Sequence, residues 1–233
     1  MKNVSEKLEK DYGFSSKVVI SRRARRVTLR LVNITHEIKI TLPHKTQYYS
    51  LKKFIEQNLG WIRVQLEKRK NRVLVSDGAS IPIFGVTRVL SADPELLEPF
   101  IMTETNLILA AQKQKINLNA KKFLKRQAKE FFETECDTFA KKLGVSYKRI
   151  SVKDTKSRWG SCSSNGNLMF SWRLILAPKT VASYVSAHEV AHLLHLDHSP
   201  RFWRTVSLLC PNYKENRYWL KKNGFDLQRY VFE

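Results

Sequence analysis

Residues 181–203 read VASYVSAHEVAHLLHLDHSPRFW and hold four of the six histidines in the chain. His188 and His192 are four residues apart, so on a helix they lie one turn apart and ~40° around the axis. Both imidazoles can therefore reach one ion. Zinc suits neutral imidazole ligands and tolerates the low coordination that leaves room for water. Glu189 neighbours the first histidine, where a carboxylate can take a proton from that water. HExxH alone occurs by chance, but this copy lies in an otherwise apolar helix (Val181, Tyr184, Val185, Val190, Leu193, Leu194).

A third protein ligand is needed, and His195 and His198 are the candidates. The rise from His188 to His195 along a straight helix is ~10 Å, too far for both to sit ~2.1 Å from one ion. His198 stands between Asp197 and Ser199-Pro200, past the expected helix end, where the chain can fold back. The expected ligands are His188, His192 and His198, with Glu189 as catalytic base and His195 orienting the site or touching substrate. The His192–His198 spacing matches the metzincins. Their turn glycine is replaced by His195, however, and no methionine follows the motif, which argues against that group.

Working outward, Pro178 opens the motif helix, expected over 179–195, and Pro211 separates two more helices near 200–208 and 213–223. Upstream, YKRISVKD and NLMFSWRLILAP predict two strands or a hairpin, with a turn at Ser163–Asn167. Residues 119–143 predict a long helix capped by Asn119 and ended by Gly144. Residues 73–118 are β-like and turn-rich, with turns at Asp77-Gly78 and Phe84-Gly85. Residues 47–72 predict an amphipathic helix, capped by Ser50 and weakened or divided at Gly60. Alternation of Val27, Leu29 and Leu31, then of Ile34, Ile38 and Ile40, predicts a β-hairpin or meander ended by Pro43. The fold class is therefore α+β. Residues 1–118 are expected as an N-terminal β-rich subdomain with a helix near 47–72, and 119–233 as a catalytic subdomain whose small sheet packs on the HExxH helix.

The 233 residues carry 42 Lys and Arg against 21 Asp and Glu, a formal charge of +21. The excess lies at both ends of the chain, and a cluster of Arg22, Arg23, Arg25 and Arg26 stands before the first alternating run. Such a field favours anionic partners, including phosphorylated small molecules and nucleic acid. A charged edge strand guarded against pairing is the plainer reading of the cluster. No apolar run approaches the ~18 residues needed to span a bilayer, and residues 1–14 hold no apolar h-region, so a cytoplasmic protein with no membrane partner is expected. Cys136, Cys162 and Cys210 form no C-x-x-C pair, and neither a disulfide framework nor a structural zinc knuckle is expected.

Two blocks carry a resemblance. One runs Lys156-Ser157-Arg158-Trp159-Gly160-Ser161-Cys162, then through Gly166 to Trp172-Arg173-Leu174 and Ala177-Pro178. The other is His188-Glu189-x-x-His192-Leu193 followed by His198-Ser199-x-x-Phe202-Trp203. With weaker matches at Trp61-Ile62, IPIFG over 81–85 and Leu143-Gly144-Val145, the chain resembles the YgjP-like metal-dependent hydrolases. These are a bacterial family of the zincin class related to the WLM and SprT-like metallopeptidases. The resemblance implies a zincin-like catalytic region, a zinc triad of His188, His192 and His198, and Glu189 as base. Ser171 departs from the asparagine usual before Trp172, which bears on a hydrogen bond near the site.

Gly160 is expected to permit a tight turn beside Trp159. Arg158, Trp159, Arg173 and His195 are the candidate substrate contacts, with Trp172 a possible pocket wall, and Cys162 reads as a small buried residue. The chemistry expected is hydrolysis by a metal-activated water, with zinc or another divalent ion as cofactor. The substrate stays open among a peptide, a nucleoside triphosphate cut at a phosphoanhydride, and a peptide reached by a DNA-associated peptidase domain. A binding module with a structural zinc is disfavoured, because three histidines leave a ligand position free.

Overall fold

The computed structural model describes residues 2–31, 38–44, 46–70, 72–155 and 157–232. The chain divides into two compact units, Met1–Arg72 and Val73–Glu233. The expected boundary after residue 118 differs from this division, and the cores explain why. Leu90, Leu107 and Leu109 share one buried cluster with Phe132, Phe170 and Val190, so the 73–118 stretch folds onto residues 119–233.

The first unit has α1 (Lys2–Tyr12), β1 (Ser16–Ser21), β2 (Thr28–Leu31), β3 (Ile38–Pro43), α2 (Tyr48–Gln57) and α3 (Leu59–Lys70). Its sheet has the order β1-β3-β2, with β1 parallel and β2 antiparallel to β3. The antiparallel β2–β3 pair, ended by Pro43, is the expected hairpin, whereas β1 joins it in parallel, which a meander would not allow. Ile34 lies outside the described residues. The 47–72 helix divides at Asn58, whose Nδ2 donates to Phe54 O (2.8 Å), and not at Gly60. Ser50 falls within α2, not at its cap. Leu8, Phe14, Ile38, Ile40, Leu51, Ile55 and Ile62 form this unit's core.

The second unit begins with β4 (Val73–Leu74), which pairs with the C-terminal β12 (Tyr230–Val231). Strands β5 (Ser80–Ile83), β6 (Val86–Ala92), β7 (Phe100–Met102) and β8 (Asn106–Leu109) form a sheet of order β5-β6-β8-β7. The β5–β6 turn falls at Phe84-Gly85 as expected, both with positive φ (52° and 79°). Helix α4 (Ile116–Leu143) starts three residues before the expected Asn119 and ends on Gly144 in the left-handed conformation, φ 65°. Its buried face packs on the site's sheet, where Phe132 stacks on Phe170 at 4.3 Å. Truncating Phe132 to alanine would cost roughly 3–5 kcal/mol.

That sheet has the order β10-β11-β9, from β9 (Arg149–Lys153), β10 (Gly160–Cys162) and β11 (Asn167–Ser171). β9 and β11 are parallel, and β10–β11 is a hairpin turned by Gly166 (φ 73°). Residues Trp172–Leu176, expected to continue the strand, form a 3-10 turn instead. Helices α5 (Lys179–Ala191), α6 (Pro200–Leu209) and α7 (Tyr213–Asn223) follow, close to the expected spans, except that α5 stops before 195. Among the described residues no helix is long and apolar enough to cross a membrane.

Candidate metal centre

Helix α5 is buried on most of its surface, through Val181, Ala182, Tyr184, Val185, Ala187, Val190 and Ala191, so it can only be a core helix. His188 and Glu189 lie in its last turn and His192 is its C-cap. The chain then leaves the helix through tight turns: His195 N donates to Ala191 O (3.0 Å). Asp197 Oδ1 accepts from Ser199 N (3.1 Å) and Ser199 Oγ from Phe202 N (3.5 Å), which caps α6 with Pro200 at its first position. These bonds return His198 to the helix end, where its Nε2 comes 3.2 Å from His188 Nε2.

One nitrogen from each of His188, His192 and His198 lies within 4.8 Å of the others. Donors ~2.1 Å from a tetrahedral ion are ~3.4 Å apart, so the 3.2 Å separation suits two ligands of one cation. His192 Nδ1 meets the His195 carbonyl at 2.8 Å, which fixes the tautomer that leaves Nε2 bare. Burial, followed by the neighbouring His192, His198 and Arg217, pushes His188 down to about 3 and keeps it in the neutral, ligating form. Its Nδ1 is buried without a hydrogen-bond partner among the described residues, and the ring packs against Tyr184 (6.0 Å), Phe202 (4.9 Å) and Trp203 (5.8 Å). Phe202 also stacks on His192 at 4.4 Å. The donor set, with the His192 tautomer fixed by the His195 carbonyl, fits a divalent ion with imidazole ligands.

Glu189 is 5% exposed, and burial pushes its carboxyl up to about 8 while the charge of Arg158 pulls it down. A bound cation would lower it further. Gly160 faces it from β10: a Cβ there would come 2.7 Å from Glu189 Cγ and 2.8 Å from Cδ, and closer still to Oε1. Gly160 has no positive φ, so the expected tight turn is replaced by a close approach that only glycine allows.

The other candidates separate. Arg158 is exposed and within electrostatic reach of Glu189. Trp159 is half-buried; its indole lies over Gly224, where a Cβ would meet it at 3.1 Å, and its carbonyl accepts from Ser171 N (2.8 Å). It thus ties β10 to the C-terminal 3-10 turn. Arg173, expected at the substrate, is instead buried: Nε pairs with Asp154 (2.8 Å) and Nη1 donates to Leu227 O (3.2 Å) and Tyr230 O (3.0 Å). A guanidinium so occupied holds β9, β11 and the C-terminus together and has little left for a ligand. His195 joins the site through its backbone carbonyl. Trp172, expected as a pocket wall, is a fully buried core residue against Phe232, and the Ser171 hydroxyl has no partner among the described residues. The Cys162 thiol is pushed up to about 11 by burial and the Glu189 charge, which disfavours a thiolate ligand. Lys156 lies outside the described residues.

Sequence reasoning missed Arg217 of α7, whose guanidinium lies 4.7 Å above the Trp203 ring while Trp203 packs against His188 and His198. Its charge acts on His188 and Tyr184. No local spacing could reveal a residue that only helix packing brings to the motif.

Against known proteins, a profile of the YgjP-like metallopeptidase domain matches residues 25–223. Among solved structures, that of the metallopeptidase zymogen of Pyrococcus abyssi abylysin shows 23% identity and a TM-score of 0.35, covering 39% of this chain and 93% of its own. No curated protein gives a significant match. The family implies a divalent metal and a peptidase-like hydrolytic activity. With the match extending over most of its length, the chain belongs to the YgjP-like metallopeptidase family.

Proposed function

We propose that the second unit is a zinc-dependent hydrolase in which His188, His192 and His198 hold the metal and Glu189 is the catalytic base. The observation that carries this reading is the convergence of the three imidazole nitrogens within 4.8 Å, one residue from a buried carboxylate. Zinc, when bound, supplies Lewis acidity that polarises the scissile bond and acidifies water. The remaining chemistry belongs to the protein. Glu189, pinned between α5 and Gly160, takes up a proton at its carboxylate and passes it to the leaving group. The His195 carbonyl keeps His192 in its ligating tautomer, and Phe202 and Trp203 hold the imidazoles in place. A peptide bond is the first substrate class. A phosphoanhydride is the second, favoured by the two cations, Arg158 and Arg217, that lie near the site.

The test is Glu189→Gln assayed beside the parent chain on a peptide library and a nucleoside triphosphate panel. Retained metal with turnover lost by roughly 10²-fold or more is expected, since a positioned base contributes about that much. Full activity in the variant would remove Glu189 from the mechanism, and the substrate cleaved by the parent decides between the two bond types.

A further inference from the structure

The first unit carries an arrangement of charge that its own fold does not require. In its sheet Lys17 of β1 is paired with Lys39 of β3, and Lys39 in turn with Arg30 of β2. Three cations thus form a row across all three strands, with neighbours ~4.8 Å apart. Like charges directly opposite one another destabilise a sheet. Edge strands use lysines to discourage pairing, but Lys39 stands on the central strand, where no edge needs guarding.

The row lies on the face away from the core, since Val18, Ile38 and Ile40 are buried on the other side. The next row on that face is Val19, Thr41 and Thr28. Beyond it, where β1 ends at Ser21 and β2 begins at Thr28, the connecting loop exposes Arg22, Arg23, Arg25 and Arg26. Residues 16–31 and 38–44 contain no Asp or Glu. None of these seven cations has an ion pair or side-chain hydrogen bond with a described residue.

We infer that this face is a binding site for the phosphate backbone of double-stranded nucleic acid, engaged without base readout. Fixed cations on a rigid sheet, with arginine forks at one end, match a polyphosphate ligand. Among the described residues this face has no aromatic side chain on which an unpaired base could stack, which favours a duplex over a single strand. It also has no Leu, Phe or Trp to insert into acyl chains, which disfavours a lipid surface. The inference is independent of the hydrolase reading, because it concerns residues of the other unit.

The experiment is fluorescence anisotropy of the full chain with labelled DNA and RNA duplexes across a salt series, beside anionic phosphatidylserine vesicles. Engagement of four to seven phosphates gives a slope of log K against log salt of about −4 to −6. The Lys17→Gln/Arg30→Gln/Lys39→Gln chain should bind at least ~10-fold more weakly, flatten the slope by about 2 to 3, and melt no lower than the parent. The Arg22→Gln/Arg25→Gln chain tests the loop separately, should the sheet variant fail to fold. A Lys122→Gln/Lys125→Gln/Lys141→Gln chain loses the same charge from α4 and should bind like the parent. Equal loss in the α4 and sheet variants, no duplex binding at low salt, or vesicles displacing the duplex would each overturn the inference. The two nucleic-acid arms show whether DNA or RNA geometry fits better.

Discussion

Gly160 and Glu189 are in direct packing contact: the hydrogen of the one stands where any Cβ would drive into the carboxylate of the other. Strand β10 therefore sets the position of the proposed base as much as helix α5 does. Gly160→Ala is expected to leave metal content unchanged and to lower kcat/KM by ~10²-fold, the scale of an ångström misplacement at a reacting centre. Metal analysis paired with steady-state kinetics checks this, and unchanged kinetics would show that Glu189 has room to move.

The neighbouring histidines should behave differently. His195 contributes its backbone carbonyl to His192, so His195→Ala keeps that bond and should retain metal close to the parent level. His198→Ala removes a ring that meets His188 at 3.2 Å and should lose the metal at low micromolar chelator. Competition with a zinc-binding dye separates the two.

Arg173 is expected to matter for stability and not for turnover. Arg173→Met takes away the 2.8 Å partner of Asp154, leaving it the longer Lys121 pair (3.9 Å), and frees two carbonyls. Removing one partner of a buried pair costs about 3–5 kcal/mol, and the cost here should fall to about 2–4 because the Asp154 side chain is 31% exposed. Denaturant titration reads the loss, while kcat per folded molecule should stay near the parent value.

Acid should destabilise the metal-free chain. His188 titrates near 6.5 when unfolded and is pushed down to about 3 when folded, so below 6.5 the unfolded state binds the extra proton. The His188 contribution is complete above about 6.5 and declines as pH falls towards 3, while Glu189, raised from 4.5 to about 8, acts in the opposite direction between those two values, so the net acid loss shows below about 4.5. Thermal melts of chelator-treated protein should follow this direction, and His188→Gln should flatten that part of the profile.

The HExxH helix and the grouping of its histidines with His198 were legible because their information is local. Apolar residues surround His188 and His192, Ser199-Pro200 announces α6, and helix rise alone sets His195 apart from His198. What was not legible depends on pairing at a distance. Lys17 meets Lys39 only through a parallel crossover, and nothing in the alternation of β1 distinguishes that from a meander. Residues 73–118 look like the β-rich stretch before them, and only the packing of Leu90 and Leu107 with Phe132 assigns them to the second unit. Arg173 resembles a substrate arginine until its partners, Asp154 and the carbonyls of Leu227 and Tyr230, come from 19, 54 and 57 residues away. Gly160 is the same case: a glycine suggests a turn in sequence, while its use here is to admit Glu189.

The central claim, a zinc ion held by three histidines beside Glu189, is tested most directly by zinc X-ray absorption on the loaded chain. The expected first shell has three imidazole nitrogens at about 2.0–2.1 Å and one lighter oxygen donor, with no sulfur, and it should lose one nitrogen in His198→Ala. A sulfur shell at about 2.3 Å, or a spectrum unchanged by His198→Ala, would contradict it.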